Sequence, residues 1–276
     1  MKIESGEKVD LDICTVLKTG ICKRLLITVS GMTAAVLLLA GCDRLIGAGD
    51  NINLGMDAIE QQEYDEALGC FDRAITADED ERLAYRGKGI AYMGLGDYDK
   101  AIDAFDRALK GSNGIVKKVD YDINYYLAMA EYKKGEPDKA MEIYDAILAL
   151  DDDAFEAYYL RGCLNLNRQD KAAALSDFDR AVELKRGDYD LYISIFEALS
   201  AAGYDSDGKG YINRALESGG KMTDYQSGLF SYYLGAYDDA RNSLEKAREK
   251  DSSENLILYL GKSYAALGDV NYAVGL

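Results

Sequence analysis

The stretches YDEALGCFDRAI (64–75) and YDKAIDAFDRAL (98–109) match almost residue for residue and lie 34 residues apart. Related copies follow at PDKAMEIYDAIL (137–148), KAAALSDFDRAV (171–182) and YDDARNSLEKAR (237–248). In each copy, apolar residues recur at the three- and four-residue spacing of an amphipathic helix. The sequence therefore contains an internal repeat, and this repeat decides the fold.

Three rows of residues mark equivalent positions in these copies. They share one irregular set of steps, 34, 39, 34, 34 and 32 residues, which chance composition would not produce. The small-residue row is Ala67, Ala101, Ala140, Ala174, Gly208, Ala240 and Ala273; the aromatic row is Phe71, Phe105, Tyr144, Phe178, Ile212 and Leu244; and the third row is Ala74, Ala108, Ile147, Ala181, Ala215 and Ala247.

A second helical pattern precedes each copy, as in YRGKGIAYMGLGD (85–97) and YLGKSYAALGD (259–269). Each repeat is therefore predicted to be a helix, a short turn and a second helix, with Gly ending the first helix and a polar residue beginning the second. Small residues mark a close approach of the two helices, except in repeat five, where we expect Phe196 to tilt the pair. The first-helix row is Gly55, Gly89, Ala128, Gly162, Phe196, Gly228 and Gly261.

These rows reproduce the 34-residue period and the small–aromatic–small pattern of the tetratricopeptide repeat, and the chain resembles that family. The resemblance implies an all-α fold, a right-handed superhelical solenoid of helix-turn-helix repeats, in which stacking supplies the core. Tyr85, Tyr158 and Tyr192 stand where the family usually has tryptophan. Six full repeats are predicted at 48–81, 82–115, 121–154, 155–188, 189–220 and 221–253, with a partial seventh after them.

The composition limits the chemistry that this chain can perform. It has no histidine, which removes the commonest general base and the commonest metal ligand. Its formal net charge of −17 would repel nucleic acid and anionic lipid, so neither is expected to bind directly. We expect no enzymatic activity, no cofactor and no metal site; an enzyme that uses carboxylates is the less favoured alternative.

Three other features have structural interpretations. DSDGKGYINRALE (205–217) resembles the start of a calcium loop, but Leu216 stands at the place of the closing glutamate and Glu217 comes one residue late. The stretch also fits the second helix of repeat five. The acidic runs at 78–80 and 151–153 fall at repeat junctions, where carboxylates favour the positive end of the next helix. Cys70 and Cys163 are expected to be small buried thiols, with a disulfide between them as the alternative.

An apolar run, Leu25–Ala40, follows Lys23 and Arg24 and ends in the sequence LAGC (39–42). As a helix it would span about 24 Å, which is shorter than the ~30 Å hydrocarbon core of a bilayer. Positive charge, an apolar run and small residues before a cleavage site are typical of an export signal. LAGC also resembles the lipobox of bacterial lipoproteins, which implies cleavage before Cys42 and attachment of diacylglycerol to its thiol.

We therefore expect a leader at 1–41, a short tether at 42–47 and the repeats at 48–276. The alternative is an uncleaved signal-anchor helix with the same repeats attached. Twenty-two residues precede Lys23, including several acidic ones, and our hypothesis is that translation begins near Val16 or Leu17. The charge pattern of the leader places the repeats outside the cytoplasm in either case.

The resemblance also implies that the first helices line a concave binding surface. An apolar stripe with tyrosine and methionine, set in an acidic surround, suits an extended or helical peptide with apolar anchors and basic flanks. The alternative is that these side chains pack between helices. The candidate peptide-binding residues are Ile52, Met56, Arg86, Ile90, Tyr125, Met129, Tyr159, Cys163, Ile193, Tyr225, Leu229 and Tyr232.

Taken together, these features predict a bacterial lipoprotein that is lipid-anchored through Cys42 at the extracytoplasmic face of a cell membrane. It would bind a protein or peptide as a rigid scaffold. Lipoproteins similar to this pattern serve in envelope assembly, secretion and pilus biogenesis, and the pattern does not choose among these roles.

Overall fold

The computed structural model describes residues 50–110, 118–250 and 252–275, and within these ranges the chain is helical without strands. The all-α class of paired helices is confirmed. The helices are α1 (Asp50–Glu60), α2 (Tyr64–Thr76), α3 (Glu81–Leu95), α4 (Tyr98–Lys110), α5 (Lys118–Lys134), α6 (Pro137–Leu150), α7 (Phe155–Asn167), α8 (Lys171–Leu184), α9 (Tyr189–Ala201), α10 (Asp205–Glu217), α11 (Asp224–Leu234), α12 (Tyr237–Arg248), α13 (Glu254–Ala266) and α14 (Val270–Gly275).

The chain forms two compact units, and the first covers the described residues from 50 to 157. In it α1 packs on α2, α3 on α4 and α5 on α6, and the first helices α1, α3 and α5 lie side by side. The ring of Phe71 is fully buried, and a Cβ atom added to Gly55 or Gly87 would lie 2.6 or 2.3 Å from it. These two glycines therefore allow α1 and α3 to close over one aromatic side chain.

The second unit covers the described residues from 158 to 275. The pairs α9 with α10, α11 with α12 and α13 with α14 are in contact, and α11 lies between the first helices α9 and α13. Phe178 on α8 packs against Gly162 on α7, where an added Cβ would lie 2.6 Å from the ring. Leu244 on α12 fills the same place opposite Gly228 on α11.

The rows read from the sequence form the core of both units. Every member from Ala67 to Ala247 is buried, and Ala273 near the end of the described chain is half-buried. Repeat five departs from this pattern at one place. Phe196 occupies the first-helix place that is small elsewhere, and it lies over Gly208, where an added Cβ would be 2.9 Å from its ring. The tilt expected for this pair stays a prediction.

The turn between α3 and α4 follows the predicted chemistry. Gly96 ends α3 in the left-handed region, with φ of 74°, and Asp97 then accepts a hydrogen bond at Oδ1 from the backbone N–H of Lys100. At the acidic junction 78–80, Asp80 accepts from the N–H of Leu83 and caps α3. Asp80 therefore starts the next helix, as predicted, whereas Glu79 accepts hydrogen bonds from Asn51 and Ile52 of α1.

Several sequence-based expectations can be placed in this fold. Residues 205–217 are helix α10, the second helix of repeat five, rather than a calcium loop. Cys70 and Cys163 are buried free thiols, as expected. The apolar run, Cys42 and the 1–41 and 42–47 segments lie outside the described residues. Among the helices that the structure describes, none is long and apolar enough to cross a membrane.

Candidate functional site

The candidate binding residues on the first helices differ widely in exposure. Met56 and Met129 in the first unit, and Tyr225 and Tyr232 in the second, are partly exposed. The remaining candidates, which are buried, are Ile52, Arg86, Ile90, Tyr125, Tyr159, Cys163, Ile193 and Leu229. The part of the predicted stripe that a ligand can reach is therefore made mainly of methionine and tyrosine.

Two of the buried candidates fill the core of the second unit. Tyr159 is 1% exposed, and its ring centroid lies 5.9 Å from that of Phe178 on α8. Cys163 is fully buried, and burial raises the pKa of its thiol to about 12, so it stays protonated and unreactive at neutral pH. Neither side chain is accessible to a peptide lying on this surface.

Arg86 joins two repeats of the first unit. It lies on α3, donates from Nε to Asp122 Oδ2 on α5, and its guanidinium lies 5.5 Å from the ring centroid of Tyr126. A parallel ion pair joins Arg82 to Asp120. Burial raises the pKa of Asp122, although the Arg86 charge opposes that shift. The predicted ligand-binding arginine thus has a partner within the fold.

The second unit holds a cluster that sequence reasoning missed. Glu197 on α9 accepts hydrogen bonds at Oε1 from the hydroxyls of Tyr233 on α11, at 2.5 Å, and Tyr259 on α13, at 3.1 Å. The ring of Phe196 stacks on Tyr233 with centroids 4.1 Å apart. The ring of Tyr232 meets Tyr259 edge-on at 5.2 Å. We call these five residues the Glu197 cluster; it spans three neighbouring first helices.

The tyrosines of the Glu197 cluster remain neutral hydrogen-bond donors. Burial is the main cause that raises the pKa values of Tyr233 and Tyr259, and the nearby Glu197 charge raises them further. Their hydroxyl oxygens also lie 3.0 Å from one another. The two hydroxyls therefore hold the Glu197 carboxylate in place.

A signal for this cluster is present in the sequence. The residue after each member of the first-helix row is apolar or a thiol in five repeats, namely Met56, Ile90, Met129, Cys163 and Leu229. Repeat five has Glu197 at that place, and repeat seven has Lys262. A single carboxylate in a row that is otherwise uncharged or basic marks a special position on the first-helix face.

The described part of the chain offers no metal-binding geometry. No group of three or more cysteine or acidic side chains able to hold a metal ion occurs there. The Glu197 cluster supplies one carboxylate and neutral phenols, whereas a calcium site needs about six or more oxygen ligands.

Comparison with protein families agrees with this geometry. Models described as tetratricopeptide repeat match residues 52–114, 92–162 and 155–188. The chain belongs to the tetratricopeptide repeat family. The matched ranges overlap and together cover repeats one to four. No curated protein sequence matches.

Solved tetratricopeptide structures resemble the chain beyond the matched ranges. A tetratricopeptide repeat protein from Parabacteroides merdae is 18% identical, with a TM-score of 0.50 over 81% of this chain and 88% of its own. PilW, described as a widely conserved type IV pilus biogenesis factor, is 19% identical, with a TM-score of 0.50 over 76% of this chain and 96% of its own. At these identities the likeness concerns the fold alone.

Proposed function

We propose that this chain is a lipid-anchored tetratricopeptide scaffold on the extracytoplasmic face of a cell membrane, and that its first helices bind a protein or peptide. The observation that carries the binding role is the partial exposure of Met56, Met129, Tyr225 and Tyr232 on those helices. Adaptable thioethers and amphipathic phenol rings are side chains suited to holding a peptide. The role requires no chemistry of the scaffold itself.

The tether follows from sequence and charge. The LAGC sequence at 39–42 resembles a lipobox, and the net charge of −17 gives the chain no attraction of its own for anionic lipid. Acyl chains on Cys42 would supply that attachment. Envelope assembly and secretion are the processes proposed for such a tethered scaffold, and a retained signal anchor is the alternative with the same binding role.

Replacement of Tyr225 tests the binding surface. Peptides selected on the full chain from a random display library should bind Tyr225→Ala about tenfold more weakly than the wild type, because a large aromatic contact is lost. Fluorescence anisotropy with each labelled peptide measures the change. Leu216→Ala is the matched control: this side chain is also exposed, but it lies on the second helix α10.

The binding surface would be wrong in either of two cases. One is a library that yields no binder to the wild-type chain. The other is an equal loss of affinity in Leu216→Ala and Tyr225→Ala, since that would indicate a surface other than the first-helix face.

Replacement of Cys42 tests the tether. Cells that express the wild-type chain with labelled palmitate should incorporate the label, and Cys42→Ala should abolish it, because the thiol forms the thioether link. Cys22→Ala should keep the label. Absence of label from the wild type would contradict the lipoprotein hypothesis and favour the signal anchor, whose uncleaved leader N-terminal sequencing would detect.

A further inference from the structure

We propose that the Glu197 cluster is a subsite for a basic side chain, lysine or arginine, of the bound partner. The proposal rests on the peptide-binding role proposed above and specifies the chemistry of the ligand. It predicts that partners carry a positive charge at the position that reaches repeats five to seven.

The carboxylate is fixed on one side and open on the other. Glu197 is half-buried, and both of its hydrogen bonds, from Tyr233 and Tyr259, go to Oε1. Within the described residues Oε2 accepts no hydrogen bond. This atom is not buried, so it is open to solvent. A carboxylate already oriented by two donors loses little freedom when a ligand binds, which favours affinity.

The partner of this charge is absent from the described fold. No lysine or arginine there forms an ion pair with Glu197, although ion pairs are frequent elsewhere in both units. A partly buried carboxylate is costly unless a cation compensates it. A cation from a bound partner would meet Oε2 and form a charge-assisted hydrogen bond, which is about twice as strong as a neutral one.

The surrounding rings favour the same ligand. Tyr232 and Tyr259 are partly exposed, and the faces of their rings attract cations. The exposed side chain of Lys262 already lies with Nζ 4.8 Å from the Tyr259 ring centroid, so the cluster attracts one cation of its own chain. Lys262 forms no ion pair with Glu197, and because its side chain is exposed, a ligand cation can replace it at the face of the Tyr259 ring.

The charge and composition of the cluster argue against other ligands. A net charge of −17 disfavours an acidic peptide and accelerates the approach of a basic one. A divalent cation would require several carboxylates, and the cluster contributes only one. The apolar rings and the single open carboxylate oxygen fit the aliphatic stem and charged head of lysine or arginine.

The test removes the charge from each side of the contact in turn. In peptides selected on the full wild-type chain, the basic residue is replaced by a neutral isostere, citrulline for arginine or norleucine for lysine. We expect the neutral isostere to bind the wild type at least about tenfold more weakly than the parent peptide. The two peptides should bind Glu197→Gln with similar affinity, because that variant has already lost the charge pair. Glu217→Gln, an exposed carboxylate on α10, removes the same charge elsewhere and should behave as the wild type.

The outcomes distinguish a failure of the basic-residue subsite from a failure of the peptide-binding role on which it rests. Binders that lack a basic residue, or that tolerate the neutral isostere on the wild type, overturn the subsite and leave peptide binding intact. The subsite is also overturned if Glu217→Gln reduces the difference between the two peptides as much as Glu197→Gln does, because that result would reflect net charge alone. Failure to select any binder overturns both. The isostere measurement on the wild type does not depend on whether the Glu197→Gln variant folds. Circular dichroism checks the folding of that variant separately.

Discussion

Replacing Phe105 with alanine is expected to lower the free energy of unfolding by about 3–5 kcal/mol. The side chain has no exposed surface, and its ring stacks on Tyr126 of α5 with centroids 5.8 Å apart. On its other side it lies against α3, where a Cβ added to Gly89 would be 2.3 Å from the ring. The backbone of α3 and the ring of Tyr126 therefore border the cavity that the substitution leaves, and the helix backbone cannot collapse to fill it.

Urea denaturation followed by circular dichroism measures this loss. Leu150→Ala is the matched control, because Leu150 is a large apolar residue of the same unit but is 67% exposed. We expect it to change stability by less than about 0.5 kcal/mol. A Phe105→Ala variant no less stable than Leu150→Ala would contradict the assignment of the aromatic row to the core.

The repeat rows carry most of what the sequence predicts about this fold. Phe71, Phe105 and Phe178 recur in step with small residues, a pattern that predicts aromatic rings between closely packed helices, and all three are fully buried. Local packing within a helix pair repeats with the sequence, so one repeat predicts the next. Phe196 shows the limit of this argument: the sequence shows a large residue at a place that is small elsewhere, but it does not show that the ring lies over Gly208.

The candidate site was harder to predict because it depends on contacts between repeats. Glu197 and Tyr259 are 62 residues apart, and the pair Arg86 and Asp122 are 36 residues apart. Which side chains meet across neighbouring first helices depends on the rotation of each helix, and a period in the sequence does not specify it. For the same reason the stripe assigned from the resemblance mixes accessible Tyr232 with inaccessible Tyr159.

Replacing Asp177 with alanine is expected to cost about 3 kcal/mol of folding free energy. Asp177 on α8 is 5% exposed and accepts three hydrogen bonds from α7: from Nη2 of Arg161 at 2.6 Å, from its Nε at 3.1 Å and from Asn165 Nδ2 at 3.0 Å. The substitution removes the carboxylate and leaves the guanidinium in a largely buried place. The loss lies at the lower end for buried pairs because 25% of the Arg161 side chain remains exposed to solvent.

Asp179, two residues further along α8, provides the control for this loss. It pairs with Arg214, but both side chains are about half exposed, at 51% and 46%. Water screens such a pair, and the Tyr211 hydroxyl, which also bonds Asp179, keeps the Leu175 carbonyl as an acceptor. Asp179→Ala should therefore cost no more than about 1 kcal/mol in the same denaturation experiment. Equal losses in the two variants would contradict the buried network, since they would show that water reaches Asp177 as freely as it reaches Asp179. A larger loss in Asp177→Ala indicates that one carboxylate joins the two helices of repeat four.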